Sequence, residues 1–317
     1  MKYRQPPPGL FDLPTMSELR ACWELCRLHG NTGFWVVWIP TAWSLLMAYH
    51  AHSEMSIGVP LYRALLYVPL CFGIKSLMMT IDDILDWDVD MEVERTKNRP
   101  IPRGSITPQR AWVFFALQVI VGVHFSLKFL STTSLYVAMA TWPMYVIYPD
   151  LKRWMDFAPI PLGMVFQVGI FMGWADISLD GSVPWHLLVP AYIGATLWTV
   201  AYETVYQHQD KEDDARIGLH SLALRMGTWT IPLCFLCAMS FLALIAYAGF
   251  ENGHSITFFA SVAIAGTLLM YRLLGTNINS SSDCKRMFLD TPTVGNIILF
   301  GLLADVLYHR LSTGIPI

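Results

Sequence analysis

Charge is scarce in this chain. Of its 317 residues only 14% are Asp, Glu, Lys or Arg, while 54% are apolar. A soluble domain carries about 25% charged residues, so the shortfall points to a bilayer as solvent. The net charge of −3 gives no sign of a nucleic-acid partner. The six cysteines are scattered, and Cys234 and Cys237 sit inside an apolar run with no second pair and no metal-type histidine beside them. That excludes a zinc ribbon and leaves them as small packing residues. The N-terminal stretch has no apolar core after its charges, which excludes a secretory signal, and it is neither Arg- and Ser-rich nor free of acids, which argues against a mitochondrial transit peptide. Residues 1–30, with Pro6, Pro7 and Pro8, read as a cytoplasmic lead-in in which 16–28 form a short amphipathic helix on the membrane surface.

Long apolar runs, by contrast, are plentiful. A spanning helix needs roughly 20 mostly apolar residues. Nine segments qualify, at about 34–52, 61–81, 111–129, 133–149, 159–176, 186–206, 229–249, 255–273 and 292–309. The expectation is an all-α polytopic membrane bundle, one domain over 31–317. The fourth and fifth runs are short enough to tilt or break. Pro40, Pro69, Pro143, Pro161, Pro190 and Pro232 inside the runs read as kinks, because neighbouring helices satisfy the freed carbonyls. With the N-terminus inside, every Lys and Arg falls on the inner side except Arg63, Lys128 and Arg310 at outer ends and Lys75 within the second run. This bias places the loops after the second, fourth and sixth runs on the cytoplasmic face.

Those loops hold the chemistry. The second run ends in Asp82-Asp83-Ile84-Leu85-Asp86-Trp87-Asp88-Val89-Asp90, so a continuing helix lines up Asp82, Asp86 and Asp90 on one face. Like charges at that spacing repel. Hard carboxylate oxygens without sulfur or imidazole favour Mg²⁺ or Mn²⁺, which keeps positions open for phosphate. A solvated acidic helix end is the bland alternative, but acids at a membrane boundary are functional by default. The sixth run ends in a second set, with Asp210 and Asp214 one turn apart and Glu203 and Tyr206 one to two turns back. Two such clusters on one face form a bipartite site for two ions bridged by a diphosphate. Basic residues follow: Arg95, Lys97 and Arg99 after the first cluster, Lys152 and Arg153 after the fourth run, Lys211 in the second cluster, and Lys75 two turns inside the second run. They are candidate diphosphate ligands; positive-inside determinants are the competing reading. An allylic cation formed on loss of diphosphate calls for aromatic faces, for which Tyr148 and Tyr206 are the candidates, with Tyr202 a further cavity residue. His208 and His220 beside the second cluster read as loop histidines rather than bases.

These residues resemble the UbiA superfamily of intramembrane prenyltransferases over nearly the whole chain. The family's NDxxDxxxDxxVxRTxxRPxxxG is matched by Asp82-Asp83, Asp86, Asp90, Val93, Arg95-Thr96, Arg99-Pro100 and Gly104. Its YDTxYAxxDxxDDxxxGxxSxAxxxG is matched by Tyr202, Thr204, Tyr206, Asp210, Asp213-Asp214, Gly218, Ser221, Ala223 and Gly227. The resemblance implies nine helices around a central cavity, capped by two Asp-rich loops. In it Asp82, Asp86, Asp90, Asp210 and Asp214 serve a Mg²⁺–diphosphate site, and the catalytic set adds Asp83, Glu203 and Tyr206. Four positions depart from the pattern. Asp82 stands for the usual Asn, Glu203 for Asp, His29-Gly30-Asn31-Thr32-Gly33 for DKPxG, and Ala158-Pro159 for the Pro-Gln before Leu162-Gly163. They suggest a specialised acceptor. The expected activity is transfer of a prenyl group, most simply farnesyl, to an aromatic or pyrone polyketide, as in the fungal meroterpenoid branch, in an endoplasmic reticulum or other endomembrane. The partners expected are the diphosphate, a small acceptor and the bilayer, with no obligate protein partner. The alternatives are an acceptor-free membrane terpene cyclase and a 4-hydroxybenzoate polyprenyltransferase. A transporter is more distant, because its charges would lie at the bilayer midplane on broken helices and inverted repeats, whereas only Asp305 lies deep in a run here.

Overall fold

The structure is a computed structural model, which describes residues 9–317 apart from 11 and 180. The prolines at 6–8 lie outside the described residues. Fourteen α-helices follow in order: α1 Met16–Leu25, α2 Thr32–Ala51, α3 Gly58–Leu85, α4 Trp87–Glu92, α5 Pro108–Phe129, α6 Thr132–Leu151, α7 Pro159–Phe166, α8 Gly169–Ile177, α9 Trp185–Gln207, α10 Lys211–Ile217, α11 Leu222–Met226, α12 Thr230–Glu251, α13 Ile256–Gly275 and α14 Ser281–Thr313. No strand occurs among the described residues. Among the described residues, six stretches are long and apolar enough to cross a membrane: α3, α5, α7 with α8, α11 with α12, α13 and α14. The long helices α2, α6 and α9 run among them.

Local sequence explains the helix ends. Thr15, Thr107, Ser131, Ser255 and Ser280 place a side-chain oxygen on an otherwise orphaned N–H of the first turn. Gly218 and Gly314 close α10 and α14 in the left-handed conformation that glycine adopts without strain. The helices continue through Pro40, Pro69, Pro143 and Pro190. The 159–177 stretch breaks instead at Gln167 and Val168, between α7 and α8.

The core forms where α9 packs on α12, α7 and α14, and where α2 packs on α8, α14 and α3. Trp43, Trp198 and Phe241 make its aromatic centre, with ring centroids 5.4–6.2 Å apart. Lipid tails are as apolar as leucine, so membrane helices associate through close contact and interhelical hydrogen bonds. Both are visible. A Cβ on Gly169 would lie 1.9 Å from the Thr41 hydroxyl, and the Ser44 and Ser134 hydroxyls donate to the carbonyls of Ile170 and Met172. Cys234 and Cys237 are buried and unpaired, as packing residues should be. Asp305 is a satisfied polar contact. It accepts from His254 Nδ1 at 2.7 Å and from the backbone and hydroxyl of Ser255.

α5 is the outlier. It packs chiefly on α3, and none of its most apolar window is buried in the protein. Between α3, α5, α6 and the α7–α8 break lies an almost wholly apolar cavity of about 660 Å³, with Leu70, Ser76, Leu117, Tyr145 and Phe166 in its wall. Leu117, Val121 and Val146 belong to that wall and are also exposed on the outer surface, so the cavity opens sideways.

Candidate active site

α3 stops at Leu85, and Asp86 (φ −98°, ψ 12°) joins it to α4. The join keeps helical hydrogen bonding, with the Asp86 N–H on the Asp82 carbonyl at 2.9 Å and the Asp90 N–H on the Asp86 carbonyl at 2.7 Å. The one-turn spacing of Asp82, Asp86 and Asp90 therefore survives the break. Asp210 caps α10, and Asp214 is buried one turn later. The loop after α4 joins the two clusters. Arg95 grips Asp210 with two N–H bonds of 2.7 and 2.5 Å, the Glu94 N–H meets Asp213, and Arg216 donates to the Glu92 carbonyl at 2.5 Å.

Lys152, which ends α6, holds the central position. Burial pushes its ammonium down, but Asp82, Asp86, Asp214 and Asp210 together outweigh that and hold it above its usual range. Among the described residues it makes no direct ion pair. It is a cation facing four carboxylates and committed to none. The carboxylates carry excess negative charge. Asp86 is pushed up to about 8 by burial and by Asp82, with Asp90 adding to both. Asp90 and Asp214 each rise to about 6, mainly through burial. Asp210 alone is held down, because Arg95 overcomes its burial. Among the described residues the ion pairs of these two are loose, Asp82 with Arg27 and Asp86 with Arg153, each at 3.6 Å.

Other expected residues are arranged differently. Asp83 does not face the cluster. It is 1% exposed and locked between Arg27 at 2.5 Å and Arg99 at 3.1 Å. Arg99 also holds both oxygens of Asp90, at 2.9 and 2.6 Å. Lys75 is no diphosphate ligand in this geometry, since it donates to the carbonyls of Arg27 and Gly30 at 2.6 and 2.7 Å and so ties down the loop between α1 and α2. Lys97 turns outward to Glu94, its neighbour on the same loop. Lys211 makes no ion pair among the described residues and lies toward His208. Arg153 spreads over Asp86, Asp88 and Asp150. Tyr202 is 1% exposed, packed edge-on against Trp198 and bonded to Thr199, so it belongs to the core and not to the cavity. Tyr206 stays at the site, with its ring 5.9 Å from the Arg95 guanidinium and 4.3 Å from the Phe288 ring, tilted 40° to it. Tyr148 and Glu203 lie near one another and near Asp82. His208 bonds Thr230 and His220 bonds Asp156, which leaves both in structural roles.

Arg27 is the residue that sequence reasoning missed. It sits in the left-handed region at φ 47°, with its side chain turned onto Asp83 and Asp82. Nothing in its spacing separates it from an ordinary inner-face arginine. The cavity wall comes nearest to this site along α3 at Ser76, six residues and about 9 Å from Asp82, and none of Asp82, Asp86, Asp90, Tyr148, Lys152, Glu203 or Tyr206 lines it.

The site lies within a recognised family. The model of the UbiA prenyltransferase family matches residues 37–299. The mitochondrial 4-hydroxybenzoate polyprenyltransferases of Schizosaccharomyces pombe and Arabidopsis thaliana are 31% and 32% identical to the chain. They cover 89% and 92% of it, and it spans 78% and 70% of their lengths. The enzyme of that name from Aedes aegypti is 30% identical over 91% of the chain, which spans 64% of that relative's length. Two solved structures share the fold. A UbiA homologue from Aeropyrum pernix K1 has TM-score 0.67 and 21% identity, covering 85% of this chain and 97% of that one. A homologue from Archaeoglobus fulgidus bound to GPP and Mg²⁺ has TM-score 0.64 and 15% identity, covering 90% and 99%. The relatives' mitochondrial names give no support to the expected endoplasmic reticulum membrane. With the family match spanning most of the chain, and two aspartate clusters joined through Arg95 and Asp210, this protein belongs to the UbiA prenyltransferase family.

Proposed function

We propose that the chain transfers a prenyl group from its diphosphate to an aromatic acceptor with the help of Mg²⁺. The observation that carries this is Lys152, which makes no ion pair among the described residues and faces both carboxylate clusters at once. The donor set suits Mg²⁺: Asp82, Asp86, Asp90, Asp210 and Asp214 offer hard oxygens, Asp214 has no ion pair among the described residues, and the nearby His208 is turned away to Thr230. Those five would hold the metal, as two ions with one per cluster. Bound Mg²⁺ supplies neutralisation of the leaving diphosphate. Lys152 donates to the diphosphate oxygens, and Arg95, which binds Asp210 here, would be free to donate to them where Asp210 serves as a metal ligand. The prenyl chain, with farnesyl the first choice, lies in the cavity below Ser76. As the C–O bond breaks, Tyr148 and Tyr206 face the allylic carbon. A ring carbon of the acceptor forms the new bond and loses its proton, and Glu203 stands beside Tyr148 to receive it.

The acceptor class follows the relatives' names toward a phenolic acid of the 4-hydroxybenzoate kind. A polyketide-type aromatic or pyrone is the second reading, favoured by the His29–Gly33 departure beside Arg27. Membranes containing the protein are to be incubated with Mg²⁺ and farnesyl diphosphate, alone and with 4-hydroxybenzoate or a panel of hydroxypyrones and polyketide phenols. The extract is read by mass spectrometry against Asp86→Ala. An acceptor mass raised by one farnesyl unit and absent from the variant supports transfer and names the class. A cyclic hydrocarbon or alcohol formed without acceptor would show the cyclase reading to be right instead.

A further inference from the structure

α1 is apolar on two opposite sides, and only one of them is covered. At about 100° per residue, Glu18, Ala21 and Leu25 share one face, while Met16, Leu19 and Trp23 share another about 160° away. Ser17, Arg20 and Glu24 lie on the flank between, about 100° from either. The first face is docked. Ala21 and Leu25 pack with Ile84 of α3, Ile101 and Ile106 of the basic loop and Ala111 of α5. Glu18 binds Arg110 at 2.6 Å and Glu24 binds Arg103 at 2.7 Å. A capping box at Thr15 fixes the start of the helix. The second face is bare: Met16 is 81% exposed, Leu19 48% and Trp23 60%, and Leu13 just before the helix is 89% exposed.

We infer that this bare row lies in the headgroup region of the leaflet on the aspartate side, making α1 an in-plane membrane anchor. Three large apolar side chains in one row on so short a helix, with Leu13 just before it, are a poor surface to leave in water. An apolar face opposite a docked one, with a charged flank between, is the pattern of an interfacial helix. The observation that selects lipid over a second copy of the chain is continuity. α1 is docked on the first turn of α5, and α5 carries the row outward through Trp112, Leu117, Ile120 and Val121, all exposed, along a helix whose most apolar window has nothing buried in the protein. A face that continues a lipid-facing helix at its end sits where tryptophan is favoured, at the boundary. The three faces of α1 then meet three surroundings: protein, bilayer and, on the Arg20–Glu24 flank, water.

Trp23 supplies the test without reference to catalysis. Wild type and Trp23→Phe are reconstituted in phosphatidylcholine nanodiscs carrying bromine at the 6,7 or 11,12 acyl positions, and the difference between the two emission spectra isolates Trp23 among the twelve tryptophans. The expected result is strong quenching of the Trp23 share by the shallow 6,7 bromines, weaker quenching by the deep ones, and poor access for aqueous acrylamide. Quenching by acrylamide as for free tryptophan, with none by brominated lipid, would put the face in water and overturn the inference. Protection from both quenchers would mean that protein covers the face, which overturns it equally.

Discussion

Replacing Lys152 with glutamine removes the cation that sees both aspartate clusters and leaves a neutral donor on a side chain one bond shorter. Since Lys152 makes no direct ion pair among the described residues, its removal breaks no specific contact, although the four carboxylates lose a neutralising charge. A hydrogen bond to a charged partner contributes about 1.5–3 kcal/mol. With tenfold per 1.4 kcal/mol, kcat/KM for the isoprenoid diphosphate should fall about 10- to 150-fold. The assay is steady-state transfer at saturating Mg²⁺, varying donor and acceptor separately, with thermal unfolding recorded on the same preparations. The loss should follow the donor, leave the acceptor KM nearly unchanged, and be largely restored in Lys152→Arg, which returns the charge. Activity within about threefold of wild type would refute the central placement of Lys152, as would a loss that merely tracks a lower Tm.

Other consequences are checkable in the same preparations. Asp86, pushed up to about 8, keeps its proton at neutral pH in the metal-free protein and must give it up to ligate, so apparent Mg²⁺ affinity should climb from pH 6 to about 8, by at most about tenfold per unit for one proton, and then level off in a titration series. By the same linkage the folded state binds the extra proton, so metal-free stability falls as pH rises from about 4 toward 8, and Mg²⁺ should restore it. Lys75→Met should leave the donor KM unchanged but lower Tm, because the Arg27 and Gly30 carbonyls lose their donor; a raised donor KM would return Lys75 to the diphosphate. Gly169→Ala forces a methyl against Thr41 and should cost about 1–3 kcal/mol, read as a drop in Tm that Thr41→Ala partly relieves.

What the sequence made legible was what repeats or clusters. Apolar runs mark helices because the bilayer punishes polar residues over a fixed length. The two aspartate sets could be placed at helix ends because one-turn spacing survives even the break at Asp86. Side-chain direction was not legible. Asp83 and Asp82 are neighbours, yet helical geometry turns them about 100° apart, and only the packing of α1 shows that Asp83 meets Arg27 while Asp82 faces the site. Lys75 reads as one more cation near phosphate until the carbonyls of Arg27 and Gly30 come into view. Tyr202 matches a motif but points at Trp198, on the core side of α9. The break at Gln167 has no proline at its own position to announce it; Pro161 lies near by and is absorbed in α7.

The splaying of α5 away from the bundle changes what concentration means for this enzyme. Under the proposed function, with the cavity open toward Leu117 and Val121, a prenyl tail longer than the cavity would run out into the leaflet instead of meeting a wall, and the prenylated product would leave by the same side without crossing water. Supply and removal are then planar processes. Turnover should scale with the mole fraction of donor in the membrane, so diluting vesicles with buffer should leave the rate per enzyme unchanged, while adding inert lipid should slow it.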